Sequence, residues 1–141
     1  MSQINNEANN KLLAQRFFKG IAQADRADLM RIVSPDLTWA VPQSAVPPYA
    51  GTHHGAALIV DMMLGAVGQT FLPGTVEHRI LMMVADGDTV VAETNMQARQ
   101  ESGREYNNFY VFIFEFQNGL ISGIREHVDT AYAINFFSAG H

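Results

Sequence analysis

Glu126 is the ionisable side chain with the strongest claim to chemistry in this sequence. It sits in the run Gly123-Ile124-Arg125-Glu126-His127-Val128-Asp129. Alternation along a strand puts Ile124, Glu126 and Val128 on one face. With that face turned inward, a carboxyl group lies between apolar neighbours. Desolvation then raises its pKa toward neutrality, where a general acid or base works best. The competing reading pairs Glu126 with an inward hydroxyl or arginine in a purely structural role. Arg125, His127 and Asp129 have the opposite parity. Arg125 and His127 are expected at solvent or an interface, and Asp129 as a cap of the C-terminal tail or a bond to a loop.

Other groups could assist. Glu93 lies mid-strand in Val-Val-Ala-Glu-Thr-Asn, where charge is costly unless paired. Alternation sets it opposite to Thr94 and Met96, on an outer or bulged position. A bulge turning it inward would make a carboxylate pair with Glu126. Tyr106, Asn108 and Tyr110 share one face and could donate hydrogen bonds to a ligand oxygen. His53 and His54 stand between a stiff loop and a helix start, so one could point into a pocket mouth as acid or donor. Adjacent histidines point different ways and no carboxylate follows at ligand spacing, so no metal site is expected. Trp39, Tyr49, Met62 and Met63 could wall a pocket, although methionines at this spacing also suit ordinary core. No phosphate-cradling glycine motif is present, and no cofactor is expected.

These groups need elements to hold them. The stretch 105–130 reads as two strands joined at Asn118-Gly119, the strongest short hairpin signal, because both turn residues must accept positive φ. One parity of the first strand carries Tyr106, Asn108, Tyr110, Phe112, Phe114 and Phe116. The other carries Phe109, Val111 and Ile113. A strand apolar on both sides needs two dry faces. The bulkier set is expected to face helices and the lighter set a partner subunit.

Upstream, residues 1–6 read as a polar, frayed leader. A helix follows over 7–24, with Leu12, Leu13, Phe17, Ile21 and Ala24 as its apolar stripe. A short helix spans 28–32. Leu37 to Val41 reads as a strand stopped by Pro42. The loop 42–52 contains Pro42, Pro47 and Pro48 and is expected to be stiff. A third helix spans 56–67, with Leu58, Ile59, Met62, Met63 and Ala66 inward and Gly68 just past its end. Strands follow over 75–85 and 89–99, joined at Asp86-Gly87-Asp88. A helical tail over 131–137 closes the chain. Helices first and an antiparallel meander after predict an α+β fold.

Composition bounds the function. The 141 residues suit one domain, and 48% hydrophobic content supplies a full core. A net charge of −5, with nine scattered Lys and Arg, disfavours a nucleic-acid surface. There is no cysteine, which excludes disulfides and thiolate metal sites. No run of about 18 apolar residues exists to span a membrane. The first residues lack the charged and apolar regions of a secretory signal, so a cytoplasmic protein is expected.

The order of elements resembles the nuclear-transport-factor-2-like superfamily and, within it, the SnoaL-like and ketosteroid-isomerase-like group. The resemblance is carried by Trp39 with Pro42, Ala50-Gly51-Thr52 with Gly55, Ala85-Asp86-Gly87-Asp88 before Val90 to Glu93, and Asn118-Gly119 before Arg125-Glu126 and Asp129. It implies a cone-shaped curved antiparallel sheet packed on the N-terminal helices. A cavity at the wide end would take a small apolar ligand, and dimers would form through the outer sheet face. Asn108 and Tyr110 would lie toward that wide end. The general-base aspartate of ketosteroid isomerases is matched by Val41. The arginine and aspartate of limonene-epoxide-hydrolase relatives fall at Thr94 and Met96, flanking Asn95. The last-strand carboxylate of SnoaL-like cyclases is matched by Glu126. The resemblance therefore implies acid/base chemistry on a small cyclic or polyketide-like substrate, or a binding protein of the same fold without chemistry.

Overall fold

A computed structural model describes residues 3–139 of the chain. Residues 1 and 2 of the polar leader lie outside the described part. The elements are α1 (Gln3–Gln23), α2 (Arg26–Ile32), β1 (Val33–Val41), β2 (Gly51–His54), α3 (Ala56–Thr70), β3 (Glu77–Asp86), β4 (Thr89–Arg99), β5 (Glu105–Gln117), β6 (Leu120–Val128) and α4 (Thr130–Ala139). The strands form one sheet in the order β2-β1-β6-β5-β4-β3. The α+β class is as expected. The sheet is mixed, however, because β1 runs parallel to β6 while every other pair is antiparallel. The long excursion through α3 and the meander returns the chain beside β1 in the same direction.

Local chemistry explains most boundaries. Asp25 caps α2 by accepting from the Asp28 amide at 3.1 Å, so the helix starts two residues earlier than expected. At the tip of β5 and β6, Asn118 and Gly119 both have positive φ, 54° and 76°, the pair a two-residue I′ turn demands. Gln117 pairs with Leu120 across it. Two expectations fail. Gly51–His54 is a strand, β2, paired antiparallel to β1. Helix α3 also runs past Gly68 to Thr70, whose hydroxyl donates to the Ala66 carbonyl at 2.7 Å, while Phe71 anchors the exit in a hydrophobic cluster.

The helical stripes are as expected at Phe17, Ile21, Ile59 and Met63 and differ at other positions. In α1 the buried positions are Asn10, Ala14, Phe17, Phe18 and Ile21, and Leu12 faces solvent. In α3 they are Ala56, Ile59, Val60 and Met63, and Leu58 faces solvent. The inward parity of β5 is as predicted: Phe112, Phe114 and Phe116 are buried, and Phe112 and Phe114 pack edge-to-face with Phe17 and Phe18. Gly20 on α1 faces Leu29 of α2, where an added Cβ would meet Leu29 Cγ at 2.8 Å. Gly20→Ala is therefore expected to cost about 1–3 kcal/mol through overpacking, read from the urea midpoint, despite alanine's better helix propensity. An unchanged or raised midpoint would refute that close approach.

Candidate functional site

The hydrophobic core is not filled to the wide end of the sheet. A cavity of about 400 Å³ remains between the inner sheet face, α1, the loop after β1, α3 and α4. Its lining is mostly apolar, with Glu126, His78, Tyr106 and Tyr110 among the exceptions. Such a chamber, apolar with a few convergent polar groups, suits a small organic ligand.

Glu126 projects inward from β6. It lies directly across from Phe112 of β5 and diagonal to Tyr110. Trp39 Nε1 on β1 donates to Glu126 Oε1 at 3.2 Å. Residue Glu126 retains partial solvent access, consistent with a side chain that lines a chamber. Burial pushes the Glu126 carboxyl up to about 7, and the single indole hydrogen bond only partly opposes this. At neutral pH both the acid and the carboxylate are therefore populated.

A hydroxyl relay faces it. Asn108 Nδ2 donates to Tyr106 Oη at 2.9 Å, and Tyr106 and Tyr110 share a hydroxyl–hydroxyl bond of 2.7 Å. Since Tyr106 already accepts from Asn108, its own proton is free to go to Tyr110. The Tyr110 proton then has only the Met96 sulfur, at 3.9 Å, a weak acceptor. A ligand oxygen would bind that proton better. Burial, chiefly, raises both phenol pKa values, so both stay protonated donors.

The expected site residues divide as follows. Trp39, Tyr49, Met63, Tyr106, Tyr110 and Glu126 line the cavity. Asn108 does not; it is 1% exposed and also donates to the Asp129 carbonyl, so it braces Tyr106 from behind. His53 stands beside Trp39 with ring centroids 5.2 Å apart, and its Nε2 lies 2.7 Å from the Tyr49 carbonyl. It fixes the loop that carries Tyr49. His54 is exposed on the edge strand, away from the chamber. Alternation on β2 sends the two rings to opposite faces.

Glu93 is exposed on the outer face, between Met82 and Val111. The register irregularity lies in β3 between Ile80 and Met82 and leaves β4 regular, so Glu93 is not turned inward. Arg125 pairs with Glu115 at 3.0 Å on the exposed face. Asp129 accepts from the Tyr132 amide and caps α4.

One ionisable cavity residue escaped the sequence reading. His78 of β3 pairs with inward Met96 and stacks on Phe18, ring centroids 5.2 Å apart. Burial lowers its pKa to about 4, so the imidazole is neutral at physiological pH. Met96, two positions past inward Thr94, was the signal that could have placed it.

A six-stranded curved sheet packed on helices, with a mostly apolar cavity and one inward acid, defines an α+β fold of the nuclear-transport-factor-2-like type. The family profile for the SnoaL-like domain matches residues 14–124, and the chain belongs to that family. Three solved structures share the fold. A candidate SnoaL-like polyketide cyclase from Jannaschia sp. CCS1 is 17% identical, with coverage of 96% of this chain and 95% of the other, at TM-score 0.80. TerC, co-crystallised with polyporic acid, is 19% identical over 92% and 96% of the two chains, at 0.76. An LEH-like epoxide hydrolase of M. tuberculosis is 16% identical over 95% and 92%, at 0.72. No curated protein matches the sequence. No described helix is long and apolar enough to cross a membrane.

Proposed function

We propose that the cavity carries out proton transfer on an uncharged, oxygen-bearing cyclic or polyketide-like molecule, with Glu126 as acid/base. The observation that carries this reading is the enclosed Glu126 carboxyl, held near pKa 7 by burial, in the same chamber as the Tyr110 hydroxyl. In the step, the Glu126 carboxylate takes a proton from the carbon next to a carbonyl. The C–H electron pair becomes the enolate double bond, and the carbonyl π pair moves to oxygen. Tyr110 donates to that oxygen as charge develops. Return of the proton at another carbon gives an isomer, and attack of the enolate on a second carbonyl gives a ring. The epoxide hydrolase and polyketide cyclase among the similar folds support small organic substrates as a class.

A non-catalytic ligand carrier is the second reading. It is favoured by Val41, Thr94 and Met96, which leave the isomerase-type and epoxide-hydrolase-type acidic sets without their charged groups. One experiment separates the two. Purified protein is incubated with 1-tetralone in D₂O, and α-proton exchange is followed by NMR. Accelerated exchange that rises through about pH 7 supports proton transfer. Binding with no acceleration would leave the carrier reading.

We also propose a homodimer through the outer sheet face. Phe109 is 56% exposed and Val111 36%, on the same face as exposed Met82 and Val84. Val111→Glu is expected to halve the sedimentation mass. A wild-type protein that sediments as a monomer would remove the proposal.

A further inference from the structure

Two buried polar atoms of the sheet have no hydrogen-bond partner: His78 Nδ1 and Thr94 Oγ1. They belong to neighbouring strands. His78 lies across from Met96 and Ile80 across from Thr94, so His78 and Thr94 are diagonal neighbours on the inner face. Thr94 is also directly across from Tyr110 on β5. The His78 and Tyr110 rings lie 6.0 Å apart, and both line the cavity. Orphaned polar atoms are uncommon in protein interiors, and two on adjacent inward positions are better explained jointly than separately.

A neutral imidazole carries one proton, and the partner of one nitrogen decides where it sits. Thr94 Oγ1 can donate. His78 Nδ1 can accept, directly after a turn of the threonine side chain or through one bridging water. Either route places the proton on Nε2. Because Nδ1 is enclosed, the Nε2 edge is the part of the ring left to line the chamber. We propose that Thr94 holds His78 in the Nε2–H tautomer, making His78 a second donor, beside Tyr110, for a carbonyl or enolate oxygen of the ligand. Two neutral donors converging on one side of an otherwise apolar chamber select a ligand with a ketone, quinone or lactone oxygen over its hydrocarbon counterpart. A carboxylate ligand is disfavoured by ionised Glu126 in the same chamber. This deepens the proposed function by naming the ligand's recognised group.

Two measurements test it. The first is a two-bond ¹H–¹⁵N correlation spectrum of the labelled protein at pH 7. His78 is expected in the Nε2–H form, and Thr94→Val is expected to shift it toward the other tautomer. An Nδ1–H form in the wild type, or no response to Thr94→Val, overturns the proposal. The second compares binding of 1-tetralone with its hydrocarbon parent, tetralin. His78→Phe keeps an aromatic ring against Phe18 and is expected to weaken tetralone roughly five- to tenfold, the size of one uncharged hydrogen bond, with little change for tetralin. Equal losses for both probes overturn it. Selective loss of tetralone binding in a protein that exchanges no α-protons would uphold His78 and sink the proton-transfer reading instead. If neither probe binds, the tautomer spectrum alone decides.

Discussion

Glu126→Gln is expected to reduce ketone α-proton exchange by about 10²- to 10⁴-fold, the usual contribution of a positioned general base. Gln is close in shape and still accepts from Trp39, so tetralone binding should survive. Stability gives an independent reading. The folded state holds the Glu126 proton up to about pH 7, whereas the group's ordinary value is 4.5. The folded protein therefore binds this proton more tightly than the unfolded chain. The group's stabilising contribution is fully present below pH 4.5 and is lost as pH rises through 7, to the extent of about 3 kcal/mol. Urea midpoints of the wild type should fall over that window, and those of Glu126→Gln should not. At pH 8 the variant should be the more stable protein. Parallel profiles for the two proteins would show that Glu126 titrates as an ordinary surface carboxylate. At the acid end the slope reverses. Asp28 and Asp61 have lowered pKa values, chiefly from hydrogen bonds with Arg16 and Arg26, and their contribution disappears as they protonate.

Phe114→Ala is expected to cost about 3–5 kcal/mol, a large share of the 5–15 kcal/mol typical of a domain. Phe114 is fully buried and contacts Phe17, Phe18, Phe112 and Phe116 through ring pairs 5.4–6.5 Å apart. The cluster joins α1 to the centre of the sheet, so little can move in to fill the space. Leu12→Ala is the control. Leu12 is 58% exposed, and its loss should change stability by no more than about 0.5 kcal/mol. Similar urea midpoints for the two variants would contradict the parity of β5.

Much of this arrangement was legible in the sequence. Alternation alone sorted the residues of β5 into two faces and grouped Glu126 with Ile124 and Val128, because period-2 patterning is strict within a regular strand. Asn118-Gly119 announced its turn through a local steric demand. What stayed hidden depended on distant partners. β2 is four residues at the sheet edge, and only its pairing with β1 makes it a strand. The inward face of β3 was obscured because the register slips between Ile80 and Met82, so no single alternation runs through His78 and Met83. Asn108 shares the parity of Tyr106 and Tyr110, but parity cannot show that a side chain is already consumed by the Tyr106 hydroxyl and the Asp129 carbonyl. The α1 stripe was legible at Leu13, Phe17 and Ile21, whereas Leu12 faces solvent and Ala14 takes the buried position.

The parallel seam between β1 and β6 has a kinetic consequence. Strands β3 to β6 are joined by short turns and can pair as soon as each hairpin emerges, whereas the seam joins distant parts of the chain. The Trp39–Glu126 bond links residues 87 positions apart. Contacts of such separation carry the largest loop-closure entropy and slow folding most. The hairpins should therefore gain amide protection first during refolding, with the amides of β1 protected later. On the ribosome β6 follows β1 by the whole of α3 and the strands β3 to β5, so the acid and its indole partner meet only after those segments are made.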